Sequence, residues 1–237
     1  WELWDQFLKQ SMTEAMALDA LRNSHPINVE VKNPAEIREI FDDISYDKGG
    51  CVLRMLEDFV GAESYRKGLH NYLFKNKYGN ATTNDLWEAI AAVAKKDVVV
   101  MMDTWVMHMG YPIVEVKPEN GKLKLTQKRF LLDGTDGEGK WIIPVSADGK
   151  RILMKEKSIV IDSFTKLNNG QKGVYRVKYT LKQLAELKKK LGELSVADRW
   201  GIQDDVFALC LAGHYPLRYY IELVESYYGE KDYLTAS

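Results

Sequence analysis

Four histidines, two cysteines, some adjacent carboxylates and one unusually placed tyrosine are the side chains of this 237-residue sequence that could do chemistry. His25, His70, His108 and His214 have no second histidine or carboxylate three or four residues away, the spacing that puts two ligands on one helix face. Neither H-E-x-x-H nor C-x-x-C occurs, so no complete zinc site is expected inside the chain, and each histidine is expected at the surface or in a hydrogen bond. Cys51 and Cys210 sit in apolar runs that raise a thiol's pKa, and no G-x-S-x-G turn offers a serine nucleophile. Asp42-Asp43 and Asp204-Asp205 are neighbours that point apart on a helix, which predicts capping or solvated carboxylates rather than an acid–base pair.

Tyr46 is different. It stands in ISYDKGG, where a phenol, a lysine and two glycines precede a clean apolar rhythm, although glycine weakens a helix. Two readings are open. Tyr46 is a packing residue with a satisfied hydroxyl. Alternatively, Gly49 and Gly50 let a ligand or backbone approach the helix start, and the phenol donates a hydrogen bond to a developing oxyanion.

The rest of the sequence must position that residue. Hydrophobic residues are 46% and charged residues 28%, a globular composition. Thirty-three basic residues against 34 acidic ones leave a net charge of -1, which gives no electrostatic case for nucleic acid or an anionic membrane as partner. No bilayer-length apolar run or signal peptide is present, and the cysteines read as reduced, buried thiols, so a cytoplasmic setting is expected. The sequon Asn80-Ala81-Thr82 is short enough to arise by chance. The first residue is Trp1, and helical spacing begins at once without a cap, which reads as a piece of a larger protein.

Trp4, Phe7, Leu8, Met12, Ala15 and Met16 form the apolar stripe of a first helix, followed by a connection containing Pro26 and Pro34. KGGCVLRMLEDFVG continues as a helix that stops at Gly61. AESYRKGLHNYLFK follows, with Tyr65, Leu69, Tyr72 and Leu73 on one face. Thr82 or Thr83 caps NDLWEAIAAVAKK, and VVVMMDTWVMHMG closes a helical section over 1–110. Alternation then sets in around Asn120-Gly121 and Asp148-Gly149, two hairpin signals, with further strands in KSIVID and GVYRVKYT. Residues 111–179 read as a small antiparallel β-sandwich. Helical spacing returns over 180–237, with Ser195 as a cap, Pro216 in a first turn, and KDYLTAS expected to bury little. The fold class is mixed, α-β-α along the chain.

ISYDKGGCVLRML resembles the SYxKGxxVLRM segment of zinc aminopeptidases of the aminopeptidase N family, the gluzincins. In the same order, WELWDQF, NKYGNATTNDLWEAI, WVMHMGYPIVEV, QKRFLL, WIIPVS, GVYRVKY and DRWGIQDDVFALCLAG are similar to further segments of that family, covering nearly the whole chain. The resemblance implies that 1–110 is the helical C-terminal half of a thermolysin-like catalytic domain, 111–179 its β-sandwich and 180–237 the first helices of an all-helical domain. It implies peptide substrates and zinc in the parent enzyme. The H-E-x-x-H, its distant glutamate and the G-x-M-E-N motif would precede Trp1, so this fragment would bind no zinc and would be inactive without the missing N-terminal part of the same protein. Tyr46 matches the family's oxyanion-stabilising tyrosine, and Phe41 a position lining the pocket for the substrate's first side chain. Gly50 departs from the alanine more usual there. The alternative is a non-catalytic interaction module derived from that family.

Overall fold

The interior is built around a helix that changes pitch. A computed structural model describes residues 2–31, 33 and 40–236; Trp1 and Pro34 lie outside the described residues. Helix α1 (Leu3–Phe7) passes through a π-helical turn at Leu8–Met12 into α2 (Thr13–Asp19), and Leu8, Met12, Ala15 and Met16 of the expected stripe are buried while Trp4 is exposed. A second π-helical turn, Ile44–Lys48, packs against α2 and runs directly into α3 (Gly49–Val60), which Gly61 ends at φ 88. Cys51, Val52, Met55, Leu56, Phe59 and Val60 form its inner face. Burying an aliphatic side chain of this kind contributes about 1.5–3 kcal/mol.

Helix α4 (Ala62–Lys75) packs on α5 (Thr83–Ala94) through Gly68, where an added Cβ would lie 2.7 Å from Ile90 Cα. The expected apolar face of α4 is therefore only partly used: Tyr65 and Tyr72 are half-buried, but Leu73 is exposed. Thr82 caps α5 in a reciprocal box with Asp85. Helix α6 (Val98–Val106) donates Trp105 Nε1 to the Ile142 carbonyl (3.0 Å), and Thr104 Oγ1 accepts from Ile142 N (3.1 Å).

The strands follow. β1 (Pro112–Glu119) and β2 (Lys122–Arg129) form a hairpin whose Asn120-Gly121 turn takes φ 49 and 76, the mirror-image turn that matches strand twist. β3 (Ile143–Ala147) and β4 (Lys150–Met154) repeat it around Asp148-Gly149. β5 (Ser158–Ile161) adds antiparallel to β2, giving the sheet order β5-β2-β1-β6 beside the two-stranded β3-β4 sheet. Gln127 joins the two halves, donating to the Trp141 and Glu156 carbonyls (2.8 and 3.0 Å) and accepting from Trp141 N. One expectation is corrected here: β6 (Arg176–Lys178) pairs parallel with β1, so the unit is not wholly antiparallel. The chain reaches β6 through a long excursion rather than a hairpin, and that excursion returns it in the same direction as β1.

Thr180 caps α7 (Leu181–Lys189), and Ser195 caps α8 (Val196–Leu211), accepting from Asp198 N. α9 (Arg218–Glu225) and α10 (Tyr233–Ala236) complete the described chain. Two further corrections arise at α8. Asp205 is buried and Asp204 half-buried: both bind Arg176 Nη1, and Asp205 Oδ2 also accepts from Val177 N (3.0 Å). Burial, reinforced by Asp204 and opposed by Arg176, pushes the Asp205 carboxyl up to about 7. KDYLTAS, expected to bury little, buries Leu234 and Thr235 against α8. Both cysteines are free thiols; Cys51 is buried, while Cys210 is only half-buried.

The helices and strands meet at Gly110. Lys48 Nζ lies 2.8 Å from Asp19 Oδ2, with both side chains about 1% exposed, and donates to the Gly110 carbonyl (3.1 Å). Asp19 Oδ1 accepts from Gly110 N (2.8 Å) and from Ser24 Oγ. Gly110 is at φ 78, and a Cβ there would strike the Arg129 side chain, so only glycine fits. Lys48→Met, which leaves the Asp19 carboxylate buried without a counter-charge, is expected to lower stability by about 3–5 kcal/mol. Adding Asp19→Asn, whose amide oxygen still accepts from Gly110, should recover about 1 kcal/mol or more. Urea unfolding of the single and double variants checks this, and a Lys48→Met loss below about 1 kcal/mol contradicts it.

Candidate functional site

The turn Ile44–Lys48 sets the direction of Tyr46. Ile44 and Lys48, four residues apart, are buried at 0% and 1% exposure, so the intervening Tyr46 points outward and is 61% exposed. Among the described residues its hydroxyl has no hydrogen-bond partner. The ring of Phe41, 62% exposed, lies 5.6 Å from the Tyr46 ring, centroid to centroid, at a tilt of 49°. The two residues singled out in the sequence thus stand together at one surface.

A pocket of about 420 Å³ opens beside Tyr46, with Ser45, Gly49, Gly50, Trp87 and Met102 among its other walls; Phe41 does not line it. The two glycines differ. A Cβ on Gly49 would meet nothing within 4 Å, so the helix wall there is bare. A Cβ on Gly50 would touch the Phe7 ring at 3.4 Å, ordinary contact that an alanine tolerates.

Asp42 fixes the start of the turn. Its Oδ1 accepts from Ile44 N (3.1 Å) and Ser45 N (3.0 Å), satisfying amides that the first helical turn leaves without partners. Its Oδ2 lies 2.7 Å from His25 Nε2, and His25 Nδ1 lies 2.8 Å from the Pro26 carbonyl oxygen. Burial works against the charged ring, but Asp42 and the Pro26 carbonyl outweigh it and raise the His25 pKa above 6.5. For Asp42, burial is outweighed by the bonds from His25, Ser45 and Ile44, which hold its pKa below 3.8. Asp42 is thus a cap, as expected of the Asp42-Asp43 pair. His25, Asp19 and Lys48 were not legible as site residues. The Lys48 contacts to Asp19 and Gly110 cross long stretches of chain, and no local motif marks them.

The other candidate chemistry is weaker. The carboxylate oxygens of Glu14, Asp43 and Asp47 lie within 4.8 Å of one another, but the set is largely exposed and contains neither imidazole nor thiolate, the ligands typical of zinc. Burial pushes the Cys51 thiol up to about 12 and raises that of Cys210, so neither is a ready nucleophile. A larger pocket of about 540 Å³ runs past Trp4, Arg54, Asp58 and Arg151. There Arg54 donates to the carbonyls of Gln171 and Gly170, and Arg151 and Lys172 close on Asp58. Arg151 thus ties α3 to β4, and Arg54 and Lys172 tie it to the turn over 169–172.

Residues 1–105 match the family model described as Peptidase family M1 domain, and residues 164–237 match the ERAP1-like C-terminal domain. The chain is 40% identical over 237 residues to tricorn protease-interacting factor F2 of Thermoplasma acidophilum, covering 99% of this chain and 30% of that protein. It is 41% identical over 265 residues to aminopeptidase M1 of Arabidopsis thaliana, covering 100% and 30%. Against the alanine/arginine aminopeptidase of Saccharomyces cerevisiae the figures are 36% over 247 residues, covering 99% and 29%. The chain therefore spans less than a third of the length of these curated relatives. Two family models in sequence, and identity of this level along the whole chain, identify a Peptidase family M1 domain over residues 1–105 followed by an ERAP1-like C-terminal domain over 164–237.

Proposed function

We propose that this chain is part of a zinc-dependent aminopeptidase that removes N-terminal residues from peptides, and that Tyr46 is its oxyanion donor. The supporting observation is an exposed phenol that has no hydrogen-bond partner among the described residues, held outward by the buried Ile44 and Lys48 and placed beside Phe41. When a scissile carbonyl becomes tetrahedral, its oxygen gains negative charge, and a preorganised O–H donor aimed at that position lowers the barrier. In this reading Tyr46 supplies that donor. Phe41 lines the pocket for the substrate's first side chain, favouring apolar residues by contact and basic ones through the ring face.

Residues 1–110 are, on the same reading, the helical C-terminal half of a thermolysin-like catalytic domain, 111–179 a β-sandwich and 180–237 the start of a helical domain. Among the described residues none fits the zinc that the family implies: the Glu14, Asp43 and Asp47 cluster is largely exposed and offers neither imidazole nor thiolate. The zinc ligands would belong to the missing N-terminal part of the same protein, and this chain alone would be inactive. A cytoplasmic setting belongs to the same proposal; no helix among the described residues is long and apolar enough to cross a membrane.

The alternative, a non-catalytic interaction module, needs a buried Tyr46 with an internal partner, and its 61% exposure favours the catalytic reading. Tyr46→Phe in the full-length protein should lower kcat by roughly a hundred- to a thousandfold without changing thermal stability, because the hydroxyl touches solvent. A loss under about threefold contradicts the role. Phe41→Ala should raise KM about tenfold for substrates with a large apolar or basic first residue, and much less for those beginning with alanine. A series of aminoacyl substrates measures this, and a uniform rise contradicts it.

A further inference from the structure

We propose that His25 is a positioning residue for Tyr46: it holds Asp42, the residue that caps the turn on which Tyr46 stands. The inference rests on Tyr46 being the oxyanion donor and adds the device that aims it.

The geometry is a relay of hydrogen bonds. The Pro26 carbonyl and the Asp42 carboxylate both accept, at 2.8 and 2.7 Å from the two ring nitrogens. Both nitrogens can donate only when the ring is an imidazolium. Asp42 is committed as a carboxylate by the Ile44 and Ser45 amides on its other oxygen. Its backbone carbonyl also accepts from Tyr46 N (3.1 Å). A shift of Asp42 therefore moves the first turn, and with it the phenol four residues on. Near-attack geometry is sensitive to this, since a displacement of about 1 Å can cost a hundredfold in rate.

Among the described residues the charged groups facing His25 are Asp42, at the start of the turn that carries Tyr46, and Asp19 on α2, whose charge Lys48 matches. The folded pKa is raised above 6.5. The imidazolium's contribution is therefore fully present below about pH 6.5 and is lost as pH rises through the raised value. A neutral ring has one hydrogen for two acceptors, so a lone pair then faces either Asp42 or the Pro26 carbonyl, and the turn loosens on the alkaline side.

The test measures kcat and KM against pH in the full-length protein for wild type, His25→Ala and His25→Gln, each also combined with Tyr46→Phe. His25→Ala should lower kcat about tenfold with KM within about twofold. His25→Gln keeps a non-titrating donor for Asp42. It should stay within about threefold of wild type and lack the alkaline fall in kcat that the wild type shows. With Tyr46→Phe already present, His25→Ala should cost nothing further, because the group it aims is gone. Equal losses with and without the Tyr46 hydroxyl overturn the positioning role, as do matching pH profiles for wild type and His25→Gln. If His25→Ala fails to fold, the glutamine profile decides. A Tyr46→Phe loss under about threefold is the separate outcome that removes the catalytic reading and this inference with it.

Discussion

Lys48 enters the interior with Asp19 as its counter-charge, and both are about 1% exposed. Taking two charges out of water costs several kcal/mol each, and their attraction offsets that only when the remaining donors and acceptors are also satisfied. Here they are: Lys48 donates to the His108 and Gly110 carbonyls, and Asp19 accepts from Gly110 N and Ser24. Burial lowers the pKa of Lys48, and Asp19 works against that fall. The pair fixes two things at once. It sets the rotation of the turn carrying Tyr46, so that the phenol faces out, and it holds the Gly110 bend from which β1 departs. A change at this contact would disturb both the candidate site and the junction between helices and strands.

The same device recurs at the other end of the strands. Lys166 Nζ is 3.0 Å from Asp198 Oδ1 and also donates to the Leu167 and Asn168 carbonyls, while Asp198 accepts from Gly170 N. Arg176 of β6 binds Asp204 and Asp205 of α8. Arg54 reaches from α3 to the Gln171 and Gly170 carbonyls, so one short loop is gripped from both helical sections. These contacts are directional, unlike apolar packing, and they fix relative orientation as well as proximity. A donor that must meet a developing charge within a fraction of an ångström needs a platform of this kind.

Local chemistry made much of the fold legible. Asn120-Gly121 and Asp148-Gly149 announce hairpins because both turn positions need positive φ, and Thr82, Ser195 and Gly61 mark helix ends by caps and a stop. What stayed hidden depends on partners far along the chain. The parallel pairing of β6 matches Ile113 with Arg176, a register no local pattern encodes. Lysine and aspartate patterns read as surface, so the burial of Lys48, Asp19 and Asp205 was out of reach. Leu234 is buried where α10 packs on α8, far back along the chain. Tyr46 and Phe41 were legible as candidates through the motif around them, and their exposed rings stand together, whereas His25 was not, because its hydrogen bond to Asp42 spans 17 residues. The π-helical turns have no sequence signature either, and π turns are often found at functional sites.

The central claim is that Tyr46 stabilises charge that exists only in the transition state, and affinity for a transition-state mimic tests it most directly. A phosphinic dipeptide presents a tetrahedral anion in place of the scissile carbonyl, and its Kd can be measured for the full-length wild type and for Tyr46→Phe, beside KM for the matching peptide. The account predicts that the phosphinate binds about ten- to a hundredfold more weakly to the variant while KM stays within about twofold. Equal Kd values would contradict it, and Tyr46 would then be a surface residue of this fold.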